Sequence, residues 1–270
     1  MNKKYEFVEG DETTTPSGVT LKRIRALAAM AATAFTPAVN PGDLGGYIQS
    51  ESNLSETGNA WVSGNARVFG NARVFGNARV YDNAQVYDNA WVSGSARVYD
   101  NTRVFGNARV YDNAQVYDNT CVFGNARVYD NAWVSGSAWV SGSARVFGKA
   151  RVFGNAQVYD NAWVSGSARV SGDAWVSGDA QVSGDAQVSD NGLIFWASKV
   201  GTDNGTLTVY NTKNNTLLVT RGCFLGSPAA FLEKSKQVHD ARTHHEYKLL
   251  IEVATSRIEA ARTALPAVPN

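Results

Sequence analysis

GNAWVSGNARVFGNARVFGNARVYDNAQVY, residues 58–87, decides the fold. It holds the first five of 22 tandem hexapeptides that fill residues 58–189 without a slip in register. Val recurs every six residues from Val62 to Val188, and Ala stands two places before it, replaced only by Thr102 and Thr120. An A-x-V triplet is a short strand with both apolar residues on one side and x on the other. The other three positions hold an aromatic residue or Ser, then Gly or Asp, then Asn, Ser, Asp or, once, Lys149. Gly, Asn and Asp tolerate positive φ and bond their own backbone in turns. A strand of three and a corner of three cannot form a hairpin meander, because every apolar residue must face one interior. Coiling solves this. Three hexapeptides make a triangular coil of 18 residues, and each coil hydrogen-bonds to the next. About seven such coils, spaced at roughly 4.8 Å, give a rod about 35 Å long. Its core is Val and Ala alone, so stability comes from neighbour stacking.

Outward from the array, the end pieces read as caps, since the end coils would otherwise expose open strand edges. Ile48 and Leu54 stand six apart, with Ser52 in the small inward position, and predict an irregular first coil before Glu56 and Thr57 break the register. Residues 1–40 are expected to pack over that end. After Asn191 the pattern ends, and Leu193–Lys199, Thr206–Tyr210 and Thr216–Thr220 read as three short strands separated by NG and NN turn signals. Two helices follow, near Pro228–His239 and Thr243–Ala264, the second with Tyr247, Leu250, Ile251, Val253, Ala254 and Ile258 as its apolar side. The expected division is a cap over residues 1–47, the repeats over 48–191, and an α+β domain over 192–270.

The order V-[FYS]-[GD]-[NSD]-A-x resembles the hexapeptide repeat of the left-handed parallel β-helix, the fold of the trimeric LpxA-like acyltransferase superfamily. The likeness covers about half the chain. It implies the left-handed coil sense and a trimer, neither of which the period itself supplies, since the usual crossover preference is right-handed. The flanks GDLGGYIQSESNLS (residues 42–55) and GTLTVYNTKNNTLLVTRGCF (205–224) resemble repeat proteins of phages and prophages. That second likeness implies a bacterial host cell and carries no activity with it. The fold expected is all-β, a left-handed parallel β-helix with an N-terminal cap and a small C-terminal α+β domain.

Every eighteenth outward residue falls on the same face. One face reads Trp61, Arg79, Arg97, Gln115, Trp133, Arg151, Arg169, Gln187; the second reads Arg67, Gln85, Arg103, Cys121, Trp139, Gln157, Trp175. The third reads Arg73, Trp91, Arg109, Arg127, Arg145, Trp163, Gln181. Six of the seven tryptophans therefore point outward, which suits an interface. Trp133, Trp139 and Trp175 are the candidate oligomer contacts. Trp91, Arg109, Arg127, Arg145 and Trp163 form the candidate binding row, because stacked like charges repel unless something anionic offsets them. A purely structural alternative is that guanidinium planes stack on indoles, with corner residues such as Asp82, Asp100 and Asp112 neutralising Arg. Aromatic corner residues stack too, as Phe69, Tyr87, Phe105, Phe123 and as Tyr81, Tyr99, Tyr117.

Acyltransferases of the resembled fold use a histidine base on or beside the coils. Residues 58–189 contain no His and no Glu, and His239, His244 and His245 all lie near the C-terminal helices, where a solvated helix face is expected. Cys121 has no His to activate it, and two cysteines make neither a disulfide framework nor a CxxC metal pattern. The array's eleven basic and ten acidic side chains nearly cancel, giving no strong nucleic-acid signal. The start MNKKYEFVEGDETTTP lacks a signal-peptide core, and Ala26–Val39, broken by Thr33, Thr36 and Pro37, is too short to span a bilayer. The expectation is a cytoplasmic, non-enzymatic binding or scaffold protein, phage- or prophage-encoded, with no catalytic residue, metal or cofactor. Expected partners are its own copies and a host protein or an anionic nucleotide, with no membrane. The alternatives are an inhibitor of host defence and a diverged acyltransferase.

Overall fold

The computed structural model describes residues 3–32 and 36–264, so Thr33 lies outside the described residues. It is a parallel β-solenoid of about eight turns with a small C-terminal α+β region, the extra turn being the irregular one around Ile48 and Leu54. The chain divides into two compact units, residues 1–142 and 143–270, taken here in turn.

In the first unit each hexapeptide contributes a two-residue strand, from Trp61–Val62 to Trp139–Val140. Each pairs in parallel with the strand 18 residues on, as in Trp61↔Arg79 and Val62↔Val80. The outward residue and the residue after Val donate forward: Trp61 N–H to the Ala78 carbonyl (3.0 Å) and Ser63 N–H to that of Val80 (2.9 Å). The Ala and Val side chains of these coils are fully buried, as are Thr102 and Thr120. The Thr120 hydroxyl donates to the Tyr117 carbonyl at 2.7 Å, whereas the Thr102 hydroxyl has no partner.

Every Gly or Asp corner of these coils has positive φ, near 58° at Asp82, Asp100 and Asp112. At Gly94 (φ +65°) a Cβ would stand 2.6 Å from the Asp112 nitrogen, so glycine answers two constraints there. Asp tolerates the left-handed region, and its carboxylate reaches the coil below. Asp88 accepts from Gly106 N–H (3.1 Å), Asp100 from Asp118 N–H (3.2 Å), and Asp118 from Gly136 N–H (2.8 Å). These carboxylates serve backbone, and among the described residues Asp82, Asp100 and Asp112 form no ion pair with Arg. At these three corners the ion pairing of the structural alternative is not formed among the described residues. The aromatic ladders are as expected, with ring centroids 5.0, 4.9 and 5.0 Å apart along Phe69, Tyr87, Phe105 and Phe123. Along Tyr81, Tyr99 and Tyr117 the spacings are 4.8 and 5.0 Å. Nothing in the structure explains why Tyr precedes Asp and Phe precedes Gly throughout.

The N-terminal residues form an antiparallel hairpin, Tyr5–Thr14 with Thr20–Ala26, whose second strand pairs with Leu44–Ile48. That strand in turn pairs in parallel with Arg67–Val68, so the hairpin continues the sheet of one face. Ile48 and Leu54 are buried as expected, but Ser52 is exposed and Asn53 takes the inward place. The 3-10 turn Glu51–Asn53 shifts the register by one, and the Asn53 amide donates to the carbonyls of Gly70 (3.0 Å) and Ala72 (2.9 Å).

In the second unit the strands run from Arg145–Val146 to Gln187–Val188 with the same parallel register, such as Arg151↔Arg169. Four antiparallel strands follow: Ile194–Val200, Gly205–Asn211, Leu217–Arg221 and Phe224–Gly226. The fourth is one more than the sequence predicted, because a two-residue turn at Gly222–Cys223 returns the chain to a three-residue partner. Helix α1 (Pro228–Val238) begins with Pro at its first turn and the Ser227 hydroxyl accepting from Ala230 N–H, a standard N-terminal cap. Helix α2 (Ala241–Ala264) buries Thr243, Tyr247, Ile251, Ala254 and Ile258. Val253, expected on that side, is 49% exposed; it lies roughly 200° around the axis from Ile251. Leu250 is half-buried. No helix among the described residues is long and apolar enough to cross a membrane.

Candidate functional site

In-register parallel pairing sets side chains 18 residues apart next to each other, so the outward positions become ladders. In the first unit the third face pairs Arg73 with Trp91, Trp91 with Arg109, and Arg109 with Arg127. The Arg109 guanidinium lies over the Trp91 ring, 4.7 Å from its centroid. Phe75 meets the same indole edge-on at 6.0 Å. In the second unit Arg145 pairs with Trp163 and lies 4.9 Å over its ring, with Phe147 edge-on at 6.2 Å. Trp91 and Trp163 each keep 37% of their surface open. The structure thus builds a Phe–Trp–Arg cluster in each unit, the Arg coming from the coil after Trp91 in the first and from the coil before Trp163 in the second.

Stacking on an indole uses the face of a guanidinium and leaves the N–H groups on its edge available. Among the described residues, Arg109, Arg127 and Arg145 have no carboxylate within ion-pair distance and no hydrogen-bond acceptor. Arg127 is exposed and lacks even an aromatic partner. At the start of the row, Arg73, Phe75 and Trp91 face Leu54 and the Glu51–Glu56 segment across a groove of about 350 Å³. The two acids there are committed to the cap: Glu51 pairs with Lys3 at 3.0 Å, and Glu56 accepts from Lys4 N–H at 2.7 Å.

In the first unit the candidate oligomer contacts Trp133 and Trp139 stand on different faces. Trp133 is half-buried on the face of Gln115. Trp139 lies on the face of Cys121, 50% exposed and edge-on to Phe123 at 6.1 Å. Trp175, 46% exposed, pairs with Gln157 in the second unit. Trp61 corrects the expectation of outward exposure, because it is 2% exposed beneath the segment Thr36–Leu44. Its neighbour Arg79 is buried with it and donates to the Ala31 carbonyl at 2.9 Å. Sequence reasoning missed this covering, since the repeat gives Trp61 the same context as Trp91.

Cys121 is nearly buried between Arg103 and Trp139, and that burial pushes its thiol above the usual cysteine range. An unactivated thiol follows. His244 Nδ1 stands 3.3 Å from the buried Ser235 hydroxyl and His239 lies 5.5 Å from the Tyr247 ring, while His245 is exposed. Two of the three histidines therefore rest against the helix pair rather than on a fully solvated face.

Comparison with known families finds the YdcK beta-solenoid repeat at residues 60–74, 72–85, 84–100, 102–118, 126–142, 156–172 and 168–184. All seven segments fall inside the hexapeptide array. The chain is a β-helix repeat protein similar to that family. No curated protein matches it.

Proposed function

We propose that this β-solenoid repeat protein is a non-enzymatic binding and scaffold protein that captures an anionic partner on its Arg–Trp face. One observation carries the reading: guanidinium groups are held over the rings of Trp91 and Trp163, with no hydrogen-bond acceptor for their N–H groups among the described residues. Such a group is already desolvated on one side and fixed in direction, which suits phosphate or carboxylate. The absence of His and Glu from residues 58–189 supports a non-catalytic role. The likeness of residues 42–55 and 205–224 to phage and prophage proteins supports action inside a bacterial host, on a host protein or a nucleotide signal. Open indoles at Trp139 and Trp175 support self-assembly, and the hexapeptide likeness favours a trimer.

The test replaces Arg109, Arg127 and Arg145 together by Gln. Wild type and variant are compared by calorimetry against nucleotides and by pull-down from infected and uninfected lysate. The triple variant is expected to lose binding, and each single change to cost about 1.5–3 kcal/mol, the range for hydrogen bonds to charged groups. Binding should weaken with salt, because charges on an open face are screened over about 8 Å at physiological ionic strength. Equal recovery of the same partners by both proteins would assign the row a structural role alone.

A further inference from the structure

The C-terminal region holds a second, separate chemistry. Arg221, Cys223, Phe224, Lys234, His239 and Tyr247 line a pocket of about 220 Å³. Its floor is aromatic: Phe231 meets Phe224 edge-on at 5.1 Å and Tyr247 edge-on at 5.1 Å, and both Phe231 and Tyr247 are buried. Its rim is basic, with Arg221, Lys234 and His239 against the single carboxylate of Asp203.

Local structure fixes these groups. Arg221 donates through Nε to the Tyr247 hydroxyl (3.1 Å) and through Nη2 to the Val200 carbonyl (3.3 Å). Its Nη1 has no partner among the described residues. Lys234 Nζ lies 5.6 Å from the Phe224 centroid and forms no ion pair among the described residues. His239 ends α1 with its N–H on the Ser235 carbonyl (3.0 Å), and Asp240 at once caps α2 through Thr243 N–H (2.7 Å). That tight junction holds the imidazole beside Tyr247. Gly201 keeps the Tyr247 hydroxyl in place, since a Cβ there would fall 1.9 Å from it.

We propose that this pocket binds a small carboxylate carrying a flat apolar body, such as a one-ring aromatic acid. The apolar body rests on the aromatic floor, and the carboxylate meets the Arg221 guanidinium and Lys234 at the rim. An aromatic floor under convergent cations is the arrangement of an orienting ligand site. The volume equals roughly seven waters at about 30 Å³ each, which suits one ring and excludes a nucleotide. This inference is independent of the solenoid face.

Cys223 makes the test direct. It is exposed at the pocket, whereas Cys121 is buried, so thiol alkylation of the full chain reports on Cys223. Benzoate is expected to slow that alkylation about fivefold or more with an apparent Kd near 1 mM, the weak end for a ligand of this size. Benzamide, which lacks the charge, and inorganic phosphate, which lacks the ring, should each slow it by less than about twofold at the same concentrations. Lys234→Gln, on an exposed helix position, should raise the benzoate Kd about tenfold with an unchanged circular dichroism spectrum. Protection by benzamide or phosphate equal to that by benzoate overturns the proposal. So does a lack of benzoate protection at about 20 mM, or an unchanged Kd in Lys234→Gln.

Discussion

The first coil and the last coil of the solenoid face opposite polar requirements, and the protein meets them with opposite chemistry. In the ladder, Trp61 and Ser63 donate forward to Ala78 and Val80, and this direction repeats along the array. The first coil is therefore left with carbonyls such as those of Ala60, Gly70 and Ala72, which need donors. They receive them from Lys4 Nζ on Ala60 (3.0 Å) and from the Asn53 amide on Gly70 and Ala72. Lys4 also donates to the Ser55 carbonyl. At the far end the outward residues have N–H groups with no coil to receive them. There the acceptors are side-chain oxygens: Thr208 for Gln181 N–H (3.1 Å), Tyr210 for Ser183 N–H (3.2 Å) and Asn191 for Trp175 N–H (2.6 Å). A cap for one end is the wrong cap for the other, because a buried backbone group left unmet costs about as much as a lost hydrogen bond.

The comparison breaks most violently if the last coil is turned relative to its cap. Deleting six residues, Gly184–Ser189, turns the last coil by a third of a turn relative to its cap and presents the wrong N–H groups to Thr208 and Tyr210. Deleting 18, Gly106–Phe123, removes one whole coil and restores the register. The six-residue deletion is expected to aggregate or to lose more than about 10 °C in Tm, and the 18-residue deletion to lose only a few degrees. Circular dichroism melts decide it. Equal tolerance of the two deletions would be incompatible with a three-sided coil meeting a directional cap.

A smaller and sharper test uses one isosteric change at both ends. Asn53→Asp replaces an amide donor by carboxylate oxygens facing two carbonyls, at a position with no solvent exposure. The expected loss is about 2–4 kcal/mol, from unsatisfied groups and a buried charge. Asn191→Asp keeps the oxygen that accepts from Trp175 N–H, at an exposed residue, and should change stability by less than about 0.5 kcal/mol. Chemical denaturation measures both. Similar losses at the two sites would show that ladder direction does not govern the caps.

The array was legible because its period is written in single residues: Val62 and Val188 obey one rule, and 18-residue pairing follows from it. Both helices were legible through Pro228 and the spacing of Tyr247, Ile251, Ala254 and Ile258. What the sequence hid depends on direction and on contact between distant segments. Ser52 kept the six-residue count, yet a 3-10 turn hands the inward place to Asn53, where a donor is required. The N-terminal hairpin has a turn signal in Thr15-Pro16-Ser17-Gly18, but the expectation for residues 1–40 goes no further than packing over the end of the array. Trp61 and Trp91 share one repeat context, yet Trp61, beside the segment Thr36–Leu44, is buried and Trp91 is open. The third-face row was legible as a list of residues. The cation–π geometry that gives it a direction was open as one of two readings. The C-terminal pocket was invisible, since its rim joins Arg221, at the end of a strand, to Lys234 and His239 on and at the end of α1.

The mildest effect separates the ends by pH. Burial, with a smaller push from Arg79, lowers Lys4 to about 8 against the opposing pull of Glu56. An unfolded lysine titrates near 10.4, so between about pH 8 and that value the unfolded chain holds a proton the folded chain has released. Stability from this group therefore rises with pH across that window and is flat below it. The neutral amine still has two protons for the carbonyls of Ser55 and Ala60, so the cap itself is kept. Other groups oppose the trend. Burial raises Cys121, and it raises Tyr81 and Tyr99 to about 12, so the unfolded thiol and phenols ionise first and stability falls as they do. The clean quantity is the Tm of wild type minus that of Lys4→Met, in which those groups cancel. It should grow by about 1–3 °C between pH 7.5 and 9.5, a range below the phenol region. No acid-side counterpart is expected from the last coil, whose acceptors Thr208 and Tyr210 stay neutral through that range. A difference that stays constant, or shrinks, would mean that Lys4 is held as a charge paired with Glu56 rather than as a desolvated donor on the open carbonyls.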